Sequence, residues 1–94
     1  MAVIRLYHFH AAPAQADALC RGLHAIVDAV STADGYLGAE VAVDQADATH
    51  LLLVERWRDV ASHQAAGSRI PSELRASMGP LLAKAPDGWY FDPA

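Results

Sequence analysis

Asp47-Ala-Thr-His50-Leu-Leu-Leu-Val-Glu55-Arg-Trp57-Arg-Asp59-Val-Ala-Ser-His63 is the stretch from which the rest of the chain can be read. Thr49 to Trp57 has the pattern of a strand whose two faces are both largely apolar. Such a strand has to be covered on both sides. A chain of 94 residues has little material for that, because small domains bury only a modest share of their surface. The segment therefore predicts an internal pocket, a partner subunit, or both. Asp59 suits the N-cap of a short helix from Val60 to Ala66, and Gly67 suits its end.

Outward from this stretch, Ala2 to His10 reads as a strand, with Val3, Arg5, Tyr7 and Phe9 on one face and Ile4, Leu6, His8 and His10 on the other. Pro13 opens a helix from Ala14 to about Ser31. Its apolar stripe comprises Leu19, Leu23, Ile26, Val27 and Val30, beside a small-residue stripe containing Gly22. Asp34-Gly35 is a turn. Tyr36 to Asp44 is a second strand, with Leu37, Ala39, Val41 and Val43 on one face, and Gln45 to Asp47 is a hairpin loop. A last helix spans Ser72 to Lys84, with Leu74, Met78, Leu81 and Leu82 inward and a break near Gly79-Pro80. Trp89 to Phe91 is a fourth strand.

The order β-α-β-β-α-β over a single domain, residues 1–94, predicts an α+β ferredoxin-like fold. Its antiparallel sheet of four strands would carry the helices on one face. The opposite face still bears Ile4, Leu6, Leu52 and Val54, too large an apolar patch to leave exposed. The sheet is therefore expected to pack against a second copy of itself, giving a homodimer. In this topology strands one and three are antiparallel neighbours. Pairing Arg5 with Glu55, to avoid an uncompensated charge in the sheet, sets Tyr7 against Leu53, Val3 against Trp57 and His10 against His50.

That register generates two candidate sites. Arg5, Tyr7, Glu55 and Trp57 share the helix-covered face, with His63 reaching down from the short helix: aromatic walls and a few polar groups, as in small-molecule pockets. The plainer reading of the same residues is core, a structural ion pair and a half-exposed surface histidine. On the other face, His8, His10 and His50 form a candidate zinc or copper set. Alternatively they are solvated residues at the sheet end, with no carboxylate clearly placed to help.

Composition narrows the function. The formal net charge is −4 with no basic stripe, so nucleic acid is not an expected partner. No apolar run approaches a membrane span of about 20 residues, and no secretory signal is evident. The single Cys20 fits a reducing, cytoplasmic setting. No Gly-rich phosphate loop is present, so no nucleotide or flavin fingerprint can be read.

Pro13 opening a helix, Asp34-Gly-Tyr-Leu-Gly38, Leu52-Leu-Val-Glu-Arg-Trp-Arg-Asp59 and Ala61-Ser-His63 together resemble the antibiotic biosynthesis monooxygenase (ABM) superfamily. The resemblance covers nearly the whole chain. It implies a dimeric α+β barrel, with sheets face to face and a cavity between sheet and helices in each protomer. It also implies cofactor-independent monooxygenase chemistry, with no cofactor, on small aromatic, polyphenolic or quinone-type rings and O2. Trp57 matches the pocket tryptophan and His63 a polar or aromatic position on the next helix, and both are expected in catalysis. Arg75 matches a pocket arginine. Substrate contacts are expected from Tyr7, Arg5, Arg75, Glu55 and Leu53. The chain departs from some oxygenating members in having no asparagine, Leu53 standing at the nearest position. It departs from haem-degrading members in having no histidine between Ser72 and Lys84, which disfavours haem degradation. A non-catalytic dimeric ligand-binding protein of the same fold is the alternative.

Overall fold

The computed structural model describes residues 2–94. Strands β1 (Val3–His10), β2 (Tyr36–Val43), β3 (His50–Trp57) and β4 (Asp87–Phe91) form one antiparallel sheet in the order β2-β3-β1-β4. Helix α1 (Ala16–Val30) crosses from β1 to β2, while α2 (Val60–Ala66) and α3 (Ser72–Met78) lie between β3 and β4. Short 3-10 turns follow each of the latter two, at Gly67–Arg69 and Gly79–Leu81. This is the expected ferredoxin-like α+β arrangement.

The β1–β3 register is the one deduced from Arg5 and Glu55. Val3 stands opposite Trp57, Arg5 opposite Glu55, Tyr7 opposite Leu53 and His10 opposite His50. Alternation then gives the two faces of the sheet. Phe9, Leu51 and Leu53 point under α1, where they meet Leu19 and Leu23 in the main core. Trp57 joins Val30, Ala33 and Ala66 in a second cluster at the other end of the sheet. The separation between these clusters matters, because the cavity lies between them.

Several local expectations are corrected. The first helix begins at Ala16, two residues after the expected start, because Ala14 takes a left-handed backbone (φ 65°) inside the Pro13–Ala14 turn. Gly67 ends α2 as expected, in a right-handed conformation. Its φ is −56°, and the chain runs on into the 3-10 turn. The last helix stops at Met78 rather than Lys84, since Pro80 lacks the N–H that would continue it. Leu82 pairs instead with Ala11 in an isolated bridge. In β2 the register slips between Tyr36 and Gly38. This bulge expels Leu37, which is 58% exposed, and puts Tyr36 edge-on against Trp57 in its place. Gly22, noted in the sequence as part of a small-residue stripe, is where α1 makes room for Met78: a Cβ there would lie 2.5 Å from the Met78 sulfur.

Candidate active site

A cavity of about 280 Å³ opens between the sheet and the helices. Its floor is the inner face of the sheet: Tyr7 and Phe9 from β1, and Leu53, Glu55 and Trp57 from β3. Ile26 and Val30 of α1 close one side, and Ala66, Gly67 and Ile70 the other. His63, Gln64 and Arg75 contribute polar groups. Six of the seven residues expected in the pocket from sequence therefore share one space: Tyr7, Leu53, Glu55, Trp57, His63 and Arg75.

His63 is delivered by α2, whose start is fixed by Asp59. The Asp59 carboxylate accepts from the Ser62 backbone N–H at 2.8 Å, the ordinary N-cap bond. One turn on, the His63 ring descends to the sheet. Its Nε2 lies 2.9 Å from the Tyr7 hydroxyl and 3.5 Å from Glu55 Oε1. Its Nδ1 is hydrogen-bonded to the Tyr90 hydroxyl of β4. Trp57, fully buried, donates from Nε1 to the same Glu55 oxygen at 3.2 Å. The histidine is thus held from three strands at once.

Burial dominates the electrostatics. It lowers the His63 pKa below its ordinary 6.5, helped by the positive charge of Arg5. It raises Glu55 above its ordinary 4.5, against the opposing pull of the Trp57 hydrogen bond and Arg5, and it raises the Tyr7 phenol. Contact between His63 and Glu55 by itself would favour an ion pair. Desolvation of both groups runs the other way and disfavours the charged imidazole. Because the folded-state pKa of His63 lies below its unfolded value, the folded protein binds fewer protons at this position. Its contribution to stability is present above about pH 6.5 and is lost as the pH falls through the lowered value. Glu55 has the opposite sign: its contribution is present below about 4.5 and lost as the pH rises through its raised value. Urea midpoints between pH 7 and 5 are therefore expected to fall less in His63→Gln than in the wild type. Parallel curves would show that His63 does not titrate abnormally.

Arg5 corrects the expected ion pair. It stands opposite Glu55 in register, but its guanidinium forms no salt bridge with that carboxylate and does not line the cavity. Its charge lies instead between two phenol rings, 4.5 Å from the centroid of Tyr7 and 4.4 Å from that of Tyr90, in favourable cation–π positions. Gly88, opposite Tyr7 on β4, makes the space: a Cβ there would come within 2.6 Å of an Arg5 nitrogen. Arg75 has a different setting. It is exposed at the cavity rim, its Nη2 donates to the Gly67 carbonyl at 2.8 Å, and no carboxylate pairs with it among the described residues. Arg75 is therefore the cation available to an anion in the cavity.

Sequence reasoning missed Gln64 and Tyr90. Gln64 adjoins His63 on a helix too short to show which side it turns inward. Tyr90 was recognised as a strand residue. Only its pairing with Arg5 reveals that it shares the inner face, while Trp89 and Phe91 take the outer one.

The second candidate cluster assembles on the outer face, but in an arrangement that does not suit a metal. His50 Nδ1 donates to the Asp44 carboxylate at 2.9 Å, and its Nε2 lies 2.7 Å from His8 Nδ1. The His10 and His50 rings stack 4.8 Å apart at 5°, and those of His8 and His50 5.0 Å apart at 12°. Nitrogen lone pairs lie in the ring plane, so stacked rings cannot aim them at a common point. No group of three or more His, Cys, Asp or Glu side chains among the described residues is placed to hold a metal ion. Asp44 is the carboxylate that the sequence left unplaced. No helix among the described residues is long and apolar enough to cross a membrane.

Comparison with solved structures shows the same architecture across several bacteria. Rv0793 from Mycobacterium tuberculosis superposes with a TM-score of 0.86 at 23% identity, over 100% of this chain and 96% of its own. PA3566 from Pseudomonas aeruginosa is 28% identical with a TM-score of 0.76, over 98% and 95%. SnoaB, a cofactor-independent oxygenase from Streptomyces nogalater, superposes with a TM-score of 0.81 at 10% identity, over 98% and 92%. No curated protein matches the sequence. The sequence profile of antibiotic biosynthesis monooxygenases matches residues 2–69, which span β1 through α2 and so include Tyr7, Trp57 and His63. The chain belongs to the antibiotic biosynthesis monooxygenase family.

Proposed function

We propose that this protein is a cofactor-independent monooxygenase acting on a small hydroxyaromatic or quinone-type ring. The observation that carries the reading is His63, hydrogen-bonded to Tyr7 in an aromatic-walled cavity whose rim holds Arg75, a cation with no carboxylate partner among the described residues. Oxygen in its triplet ground state reacts with an electron-rich anion by single-electron transfer. The protein's part is then to remove a proton, stabilise the anion and exclude water. Tyr7 and Trp57 provide aromatic surface for the ring, and Leu53 is the apolar floor. The Arg75 guanidinium holds the phenolate, and the Tyr7–His63 pair takes the proton. The anion passes an electron to O2, the two radicals combine, and the resulting hydroperoxide loses water as a carbonyl forms. All the electrons that reduce O2 come from the substrate. A screen of hydroxyaromatics in an oxygen electrode tests this: uptake matched by quinone formation is expected. Saturable binding without uptake would instead support a ligand-binding protein, the reading favoured by the apolar Leu53 at the cavity floor.

The protein acts in this proposal as a cytoplasmic homodimer joined through the outer face of the sheet. Ile4, Leu6, Leu52 and Val54 are half-buried there, while Trp89 is 45% and Phe91 47% exposed on the neighbouring strand. A contiguous apolar face of this kind marks an association surface. Sedimentation is expected to give a dimer for the wild type and a monomer for Leu6→Glu, since the charge would be buried without a partner at the middle of the interface. A wild-type monomer at micromolar concentration would refute the arrangement.

A further inference from the structure

We propose that Tyr7, His63 and Tyr90 form a proton relay linking the cavity to solvent, with Tyr90 as its outer station. The inference rests on the oxygenase reading for its use, but not for its geometry. Tyr7 lines the cavity and is hydrogen-bonded to His63 Nε2 at 2.9 Å. The other ring nitrogen is bonded to the Tyr90 hydroxyl. Tyr90 does not line the cavity and is 37% exposed. The chain of hydrogen bonds therefore begins inside and ends outside, with the imidazole as the only bridge among the described residues.

The chemistry of the three groups suits transfer in both directions. A phenol hydroxyl donates one hydrogen bond and accepts others, and a neutral imidazole accepts at one nitrogen while donating at the other. The chain consequently has two arrangements, related by shifting every proton one place. In the outward step the substrate O–H passes its proton to the Tyr7 oxygen while Tyr7 passes its own to Nε2. Nδ1–H goes to the Tyr90 oxygen, and Tyr90 O–H goes to water. The sum is a substrate anion in the cavity and one proton in solvent. When O2 has added, the peroxide anion takes a proton back by the reverse sequence, and the hydroperoxide then loses water. The return restores the starting tautomer, so the cycle closes without another reagent.

The surroundings favour shuttling over trapping. Burial disfavours a free Tyr7 phenolate, so Tyr7 passes its proton on without holding negative charge. The guanidinium of Arg5 lies at nearly equal distances over both phenol rings. Its Nε is buried without a hydrogen-bond partner, and no carboxylate forms a salt bridge with it among the described residues. The charged and titratable groups facing His63 are Arg5 and Tyr7 from β1, Glu55 from β3 and Tyr90 from β4. Tyr90 touches neither the cavity nor its contents, and so acts as a positioning residue through His63.

Tyr90→Phe separates this role from a structural one, because it keeps the ring over Arg5 and removes only the hydroxyl. Nitrogen NMR of histidine-labelled protein is expected to show His63 averaged between its two neutral tautomers in the wild type and fixed as one tautomer in Tyr90→Phe. With 1-naphthol as probe, oxygen uptake by the variant is expected to show kcat lowered about tenfold or more, KM unchanged and a larger solvent deuterium isotope effect. Unchanged nitrogen shifts in the variant, or unchanged kcat where 1-naphthol is turned over, overturn the relay. A wild type that consumes no oxygen with any hydroxyaromatic overturns the oxygenase reading, and the nitrogen shifts still decide the relay.

Discussion

Oxygen uptake should fall by a factor of about 10²–10⁴ in His63→Ala, the range typical of losing a positioned acid–base group. Among the described residues, His63 alone contacts Tyr7, Glu55 and Tyr90 together, so none of these neighbours takes over its transfer. Folding should suffer much less. His63 is partly exposed and not a member of either core cluster, and its hydrogen bonds are each worth about 1 kcal/mol net. The dimer should also persist, because α2 lies on the helix side of the sheet, away from the outer face. Free imidazole should restore part of the rate by occupying the vacated space. Full activity in the variant would remove His63 from the mechanism, and loss of the folded dimer would show that it is structural instead.

The largest effect on stability is expected at Trp57. It is completely buried, packs against Val30, Ala33 and Ala66, and meets Tyr36 edge-on. Trp57→Ala should cost about 3–5 kcal/mol. For a domain of this size that corresponds to a drop in Tm on the order of 20 °C. Part of the cost is chemical: the Glu55 oxygen loses the indole donor while still buried. Trp57→Phe keeps most of the apolar contact and loses the N–H, so it should cost about 1–2 kcal/mol. Calorimetry on the two variants therefore divides the packing contribution from the hydrogen bond. An alanine variant within 1 kcal/mol of the wild type, about one unit of the hydrogen-bond scale, would mean that the cavity relaxes around the missing ring.

The register was readable because it follows from period two. Once Arg5 was set against Glu55, every inner and outer residue of β1 and β3 was fixed. The physical premise behind that pairing proved different, however. The sheet aligns the two residues, but Arg5 lies between aromatic rings and Glu55 turns to Trp57 and His63. A guanidinium is weakly hydrated and stacks well, and Gly88 on the neighbouring strand leaves room for it. Nothing in the sequence near Arg5 reports a glycine 83 residues further on. The bulge that expels Leu37 is similar: alternation placed Leu37 on one face with Ala39, Val41 and Val43, and the positive φ of 153° at Gly38 accompanies the local change.

What the sequence determined by itself is what depends on local period and chain order: the elements, their antiparallel pairing, the two faces of the sheet and the convergence of Tyr7, Glu55, Trp57 and His63. These follow from side-chain alternation, helical spacing and the short, right-handed connections that chains allow. Only the tertiary structure decided which neighbours each polar group chose. It assigned Arg5 to Tyr90, Asp44 to His50 and Tyr90 to His63, and held Arg75 at the rim on the Gly67 carbonyl. Such choices depend on angles and distances of a few ångströms between elements remote in sequence. Hydrogen bonds and desolvation are steep functions of those distances, whereas the burial of apolar residues is not.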